Sequence, residues 1–382
     1  MPLIWAAISA HGFGHAAQVV PVLNALGRLV PDLRVILRTT VSASFFKDRL
    51  LIPWELSAVR QDIGCIQDGP LTIDVEATWL EHERFHATWN DRLQQEVTAI
   101  TAARPDLVLA DIPYLALAAG KAAAIPTVAL ASFTWDLILS DFLAPPSIDK
   151  LALLHSIRQS YAQADVALRL IPAPKIDVFE YNVDIGPIAE PAAPARDQLA
   201  TVLALDPGER TVLVGFGGIP MTSLPFADLE QLTGYRFLFD GPILSGSTTF
   251  ASTHSLPFSF KTLKASVDVI MTKPGYGTIV EAVELQQPLL YVRRHNFADE
   301  PPLVDYLHRY GRSVELSIDD FMRGRWEPAL QQALASPVPS LSALFPTGGP
   351  EAAAVIAQQL SKVRTHSNDR TNPKAVQKGH NA

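Results

Sequence analysis

The sequence predicts an α/β protein in which two parallel-sheet domains face each other across a cleft. Three observations predict it. Apolar runs of strand length alternate with amphipathic stretches of helix length, the pattern of doubly wound sheets. A glycine-rich turn follows an apolar run near the start of the chain and again near residue 275. Between the halves, around 176–198, the texture changes to a proline-rich connector that includes Gly186-Pro187 and Pro191 to Pro194. At 382 residues the chain is also too long for one ordinary core.

In the first half the apolar runs place strands near 3–9, 34–40, 54–59, 107–111, 126–131 and 165–171. Helical spacing falls near 15–30, 43–49, 79–103, 113–123 and 148–163. After the connector, Thr211 to Gly218 opens a new strand and glycine turn. Further strands are expected near 235–239, 267–271 and 288–293, with helices near 278–285, 299–310 and 350–361. The expected division is an N-terminal domain over 1–186 and a C-terminal domain over 187–362, with 363–382 polar enough to predict a disordered tail.

Composition excludes several classes. Apolar residues make up 48% and charged residues 18%, which describes a well-buried globular protein. A net charge of −8 argues against nucleic acid or an anionic membrane surface as the main partner. The single cysteine, Cys65, permits no intramolecular disulfide and suits a reducing cytoplasm. Leu3 to Ile8 is too short to span a bilayer and no basic residue precedes it, so no transmembrane segment or signal peptide is expected. Peripheral membrane contact stays open.

The richest segment is Asp268 to Val283. It reads as a buried strand, a tight turn at Lys273-Pro274-Gly275-Tyr276-Gly277, and a helix that Thr278 is placed to cap. Free N–H groups in the first turn of such a helix bind phosphate. Glu281, one turn in, is placed to accept hydrogen bonds from a ribose. The N-terminal counterpart runs Ala10-His11-Gly12-Phe13-Gly14-His15. It is not a dinucleotide site, because no acidic residue closes the next strand, and two histidines suit acid–base chemistry.

Two Rossmann-like domains, each presenting a glycine turn at the carboxyl ends of its strands, resemble the GT-B glycosyltransferases. The C-terminal turn resembles the donor-binding segment of the bacterial glucosaminyltransferase of cell-wall synthesis, with Gly275, Thr278 and Glu281 at the matching spacing. A closer resemblance is to the glycosyltransferase-like half of plant L-arabinokinases and its stand-alone bacterial relatives. It is carried by Ser9 to His15, Asp111 to Pro113, Ser132 to Asp136, Thr272 to Thr278 and Asn296 to Pro301. The resemblance implies a transferase moving a sugar from a nucleotide-sugar donor, UDP-linked or similar, to a hydroxyl of a small-molecule or lipid-linked acceptor. It implies no kinase half. The family turn usually continues Ala-Thr-Arg, where this chain has Ala16-Ala17-Gln18, so a cation is missing.

Expected roles follow. His15 is the candidate base and Asp111, at the end of an apolar run, its orienting carboxylate. His11, Gly12 and Gly14 complete that turn, and Trp135 and Asp136 lie on the acceptor side, with Asp136 a substitute for Asp111. Lys273, Gly275, Tyr276, Gly277, Thr278 and Glu281 would hold the donor nucleotide, together with Gly217 and Gly218. Asn296, Asp299 and Glu300 would meet the donor sugar. No Asp-x-Asp metal signature is visible, so neither a catalytic metal nor a cofactor is expected. An epimerase, hydrolase or nucleotide-sugar-binding protein on the same fold is the alternative. A remote one is a zinc hydrolase, since His82-Glu83-Arg84-Phe85-His86 fits the zinc-protease helix but lacks a third ligand.

Overall fold

The computed structural model describes residues 1–217, 221 and 224–371, with the side chains of 363–371 outside that description. The first sheet contains β1 (Leu3–Ile8), β2 (Arg34–Arg38), β3 (Trp54–Ser57), β4 (Leu107–Asp111), β5 (Thr127–Ala131), β6 (Val166–Leu170) and β7 (Asn182–Ile185). All pairs are parallel, in the order β3-β2-β1-β4-β5-β6-β7. The second sheet contains β8 (Arg210–Val214), β9 (Tyr235–Phe239), β10 (Phe250–Ser252), β11 (Val269–Thr272), β12 (Leu289–Tyr291) and β13 (Ser313–Glu315). It too is parallel throughout, in the order β10-β9-β8-β11-β12-β13.

Strand order reverses direction at β1/β4 in one sheet and at β8/β11 in the other. In open parallel sheets such a switch leaves a crevice outside the carboxyl ends of the strands, where flanking loops diverge. The chain leaves β1 into the Ser9–Gly14 turn and β11 into Lys273–Gly275, so both glycine turns lie at switch points. The central strands are buried almost throughout, as a parallel sheet covered on both faces requires.

Three strands were absent from the sequence reading: β7, β10 and β13. β7 is mostly exposed, and all three lie at sheet edges, where burial on two faces does not impose a continuous apolar run. The helix expected over 79–103 is two, Val75–Ala87 and Trp89–Ala103, separated at Thr88. Short helices at Trp135–Asp141, Arg196–Leu203, Phe260–Ser266 and Glu327–Ala335 were also not anticipated. The last helix, Gly348–Thr371, runs past residue 363, where a tail was expected to begin. Residues 372–382 of that expected tail lie outside the described residues.

The chain crosses between the sheets at Gly186-Pro187, and the last helix returns to pack on the first helix, Gly14–Leu29. A Cβ on Gly348 would stand 2.1 Å from the Gly186 carbonyl, so only glycine permits this approach. Gly348 N–H donates to Pro187 O at 3.0 Å, and Glu351 accepts from Gly186 N–H at 2.7 Å. Ala353, Ile356 and Leu360 share one core with Val19, Val22 and Leu26 of the first helix. Among the described residues, no helix is long and apolar enough to cross a membrane. Ile356 is fully buried, so Ile356→Ala should cost about 2–5 kcal/mol, read as a lowered chemical-denaturation midpoint.

Candidate active site

Each side of the cleft is built by chain leaving a sheet. β1 pairs with β4 so that Ile8 stands opposite Asp111, and Ser9 N–H donates to the Asp111 carbonyl at 2.7 Å. The turn then needs Gly12 in the left-handed region, at φ +76°. A Cβ there would lie 3.2 Å from the Gly217 carbonyl, which belongs to the turn after β8. The two glycine turns therefore meet face to face. Gly218 lies outside the described residues.

His15 sits in the first turn of the helix Gly14–Leu29, and its Nδ1 lies 2.9 Å from Asp111 Oδ1. Both side chains are buried. Burial alone would lower the His15 pKa, but the Asp111 charge and hydrogen bond, aided by Asp62 and Asp299, outweigh it and raise it. With Nδ1 turned to Asp111, Nε2 is the nitrogen free for a ligand. His11 differs: burial, then the charges of His15, Lys273 and Arg294, push its pKa down to about 3, so it stays neutral. Its ring packs edge-on against Trp135 at 5.2 Å.

Trp135 and Asp136 do not present themselves as expected. Trp135 is fully buried and donates from Nε1 to Asp62 Oδ2 at 2.8 Å, so its indole supports the site from behind. Asp136 is held by Arg158 at 2.7 Å, and Asp111 alone takes the histidine. Asp62 went unnoticed in the sequence. It follows β3 in a long loop with no apolar periodicity, and only the fold brings it beside His15.

On the opposite side, Lys273 and Pro274 follow β11, and the helix begins at Tyr276, two residues earlier than expected. Gly275, not Thr278, occupies the N-cap position, with no side-chain cap. Gly277 and Thr278 are therefore first-turn residues, whose N–H groups lack intrahelical acceptors. Tyr276, expected to hold the donor nucleotide, turns its hydroxyl into the protein instead: it donates to Ile171 O at 3.0 Å and accepts from Ile188 N–H at 3.2 Å. The Lys273–Gly275 turn is thereby tied to the crossing between sheets. Glu281 is buried in an ion pair with Lys264 of the helix Phe260–Ser266.

The loop after β12 carries the remaining residues. Asn296 is exposed. Glu300 is fully buried and spent on its own loop, accepting from Arg294 Nε at 2.7 Å and from the Arg294 and His295 amides. The guanidinium of Arg294 lies 3.9 Å from the Phe297 ring, and Phe297 meets Phe133 of the other side at 5.7 Å. Asp299 is buried close to His15. Burial, with Glu300 adding, lifts Asp299 to about 7 against the pull of Arg294. Burial and then the Arg294 charge lower Lys273 to about 7. Arg294 lies outside every motif, while Phe133 and Phe297 lie within the Ser132–Asp136 and Asn296–Pro301 motifs but had been given no role.

The zinc reading finds no geometry. His82 Nε2 meets the Gly64 carbonyl at 3.0 Å, while His86 Nε2 meets the Tyr114 hydroxyl at 3.1 Å. His86 also stacks on Trp89. Among the described residues no cluster of three or more His, Cys, Asp or Glu could hold a metal ion.

Two parallel sheets with facing glycine turns define the GT-B glycosyltransferase fold, and solved structures of that kind align with almost the whole chain. The kitacinnamycin glycotransferase aligns with a TM-score of 0.60 at 16% identity, covering 97% of this chain and 100% of its own. The calicheamicin glycosyltransferase CalG4 gives 0.57 at 15%, covering 98% and 99%. MnaA of S. aureus, solved with UDP, gives 0.57 at 14%, covering 96% and 97%. In sequence, the chain is 27% identical to L-arabinokinase of Arabidopsis thaliana over 95% of its length. It spans only 35% of that relative, about a third. No family model matches the chain.

Tyr276→Phe tests the tie between the Lys273–Gly275 turn and the crossing. It leaves the Ile171 carbonyl and Ile188 amide unpaired and should cost about 1–3 kcal/mol of stability in thermal or chemical denaturation. UDP affinity by calorimetry should stay within about twofold if the hydroxyl does not touch the donor.

Proposed function

We propose that the protein transfers a sugar from a nucleotide-sugar donor, UDP-linked or similar, to an acceptor hydroxyl in the cleft, without a metal ion or cofactor and in the cytoplasm. The observation that carries this reading is the buried His15–Asp111 pair standing opposite Lys273 and Asp299. His15 Nε2 takes the acceptor proton while Asp111 holds Nδ1–H and stabilises the imidazolium that forms. The acceptor oxygen attacks the anomeric carbon, and the bond from that carbon to the diphosphate breaks. Charge then builds on the departing diphosphate. Lys273 and the amides of Gly277 and Thr278, at the positive end of the helix Tyr276–Glu284, receive it.

In this reading Glu281 accepts from the ribose, held in place by Lys264, and Asp299 and Asn296 meet the donor sugar. Glu300 shapes the loop that presents them. One observation favours a second reading, epimerisation or hydrolysis of the donor alone: Asp299, lifted to about 7, sits beside His15 as a second proton carrier. A radiolabelled UDP-sugar separates the two. Conversion that requires an added acceptor supports transfer, and conversion without one supports the second reading.

His15→Ala should slow turnover by about 10²–10⁴ and leave UDP affinity unchanged by calorimetry. Retained turnover would place the base elsewhere; lost UDP binding would make the turn structural.

The pH profile gives a separate check. His15 must be neutral to act as base, and its pKa lies above the ordinary 6.5, so kcat/KM falls as pH drops through that raised value. Lys273 must be charged to meet diphosphate and loses its proton near pH 7, so the opposite limb falls as pH rises. Asp111→Asn removes the charge that raises His15 and leaves burial, which lowers it. The acid limb should therefore move to lower pH while the maximum rate falls.

A further inference from the structure

Around His15 the protein leaves buried hydrogen-bond acceptors without donors. Asp111 gives Oδ1 to the imidazole, but its Oδ2 is buried and unpartnered. Gln18 lies one turn along the same helix, on the same face as His15. Its amide reaches Ser132 at 3.5 Å, while its carbonyl oxygen is buried without a donor. From the other sheet, Asp299 Oδ1 is likewise unpartnered, 3.7 Å from Arg294 and so beyond hydrogen-bond length. These residues are 0%, 4% and 7% exposed, respectively. Asp62 adds a further carboxylate within electrostatic reach of His15.

A buried acceptor with no donor keeps its full desolvation cost, so what fills this space must bring donors. An apolar aglycone or the hydroxyl end of a lipid brings one at most. It would leave the remaining oxygens dry. A polyol brings a hydroxyl for each, and every hydroxyl also accepts, which suits Lys273. Phe133 and Phe297 supply an apolar wall for the C–H faces of a ring.

We infer that the subsite beside His15 takes a polyhydroxylated molecule, an unsubstituted sugar or sugar-like polyol. It rests on the transferase reading only for naming that molecule the acceptor.

Saturation-transfer NMR on the full chain tests this, with three probes: UDP, a mixture of unsubstituted hexoses, pentoses and disaccharides, and a mixture of planar phenols. With UDP present, the wild type should show saccharide signals and no phenol signals. Gln18→Leu should weaken saccharide binding at least tenfold with UDP affinity unchanged, and Gln18→Glu, which keeps an acceptor oxygen, should hold it within about threefold. Should Gln18→Leu fail to fold by circular dichroism, the near-isosteric Gln18→Met serves in its place, with the same expected loss. Phenols binding in place of saccharides, no saccharide binding at all, or unchanged saccharide affinity in the variant would overturn the inference. Saccharides that bind and are lost in the variant while UDP fails to bind would uphold the polyol site and overturn the donor reading instead.

Discussion

A carboxylate buried at the end of a parallel strand needs a partner, and in this protein the partner is His15. Asp111 closes β4 at the center of the first sheet, with no exposure to water. Its backbone carbonyl is taken by Ser9, which fixes where the chain leaves β1, and its side chain is taken by the imidazole at the start of the next helix. Sheet register, turn and helix start are thus set relative to one another by a single residue. Removing either partner leaves the other buried and unmatched, which costs far more than the pair contributes when intact. The same burial that makes the pair costly to break lets Asp111 raise the histidine, because charges interact strongly where water is absent.

The facing side depends on a different device. Tyr276 opens the helix that ends the donor turn, yet its hydroxyl bridges Ile171, just past β6, and Ile188, in the connector. Beside it the Gly348 contact and the Glu351 bond clamp the same crossing. The turn that would hold a diphosphate is therefore anchored to the segment that joins the two sheets. Any ligand that shifts that turn pulls on the crossing through Tyr276.

What was legible in the sequence follows from these constraints. Glycines after apolar runs marked both switch points, although among them only Gly12 is required by its backbone, at φ +76° and with a Cβ that would stand 3.2 Å from the Gly217 carbonyl. Asp111 was legible because a carboxylate ending an apolar run has one place to go. Other features leave no local trace. Edge strands such as β7 bear no double burial and so no continuous apolar pattern. Asp62 and Arg294 reach the cleft from long loops, where only the tertiary path sets position. Tyr276 and Glu300 lie within legible motifs, but their side chains turn to the protein itself. A motif gives the path of the backbone, and it does not say which way each side chain faces. The His82–His86 spacing misleads for that reason: two imidazoles one turn apart find separate acceptors, Gly64 and Tyr114.

The charges across the cleft form a set that is balanced yet poised. Lys273 and Arg294 stand near Asp299 and Glu300, and of these only Arg294 and Glu300 are joined by a short hydrogen bond. Burial drives Lys273 down and Asp299 up until both lie near 7, so each sits where a small change in field alters its charge. An incoming diphosphate favours the charged lysine and opposes the charged carboxylate. Both responses take up protons, since Lys273 keeps or gains one and Asp299 gains one. A bound diphosphate would thus convert Asp299 toward a neutral group that can donate as well as accept, beside His15, the base of the proposed transfer. In the proposed transfer, the field that would receive the leaving group is thus the same field that sets the protonation of the residues around the attacking hydroxyl.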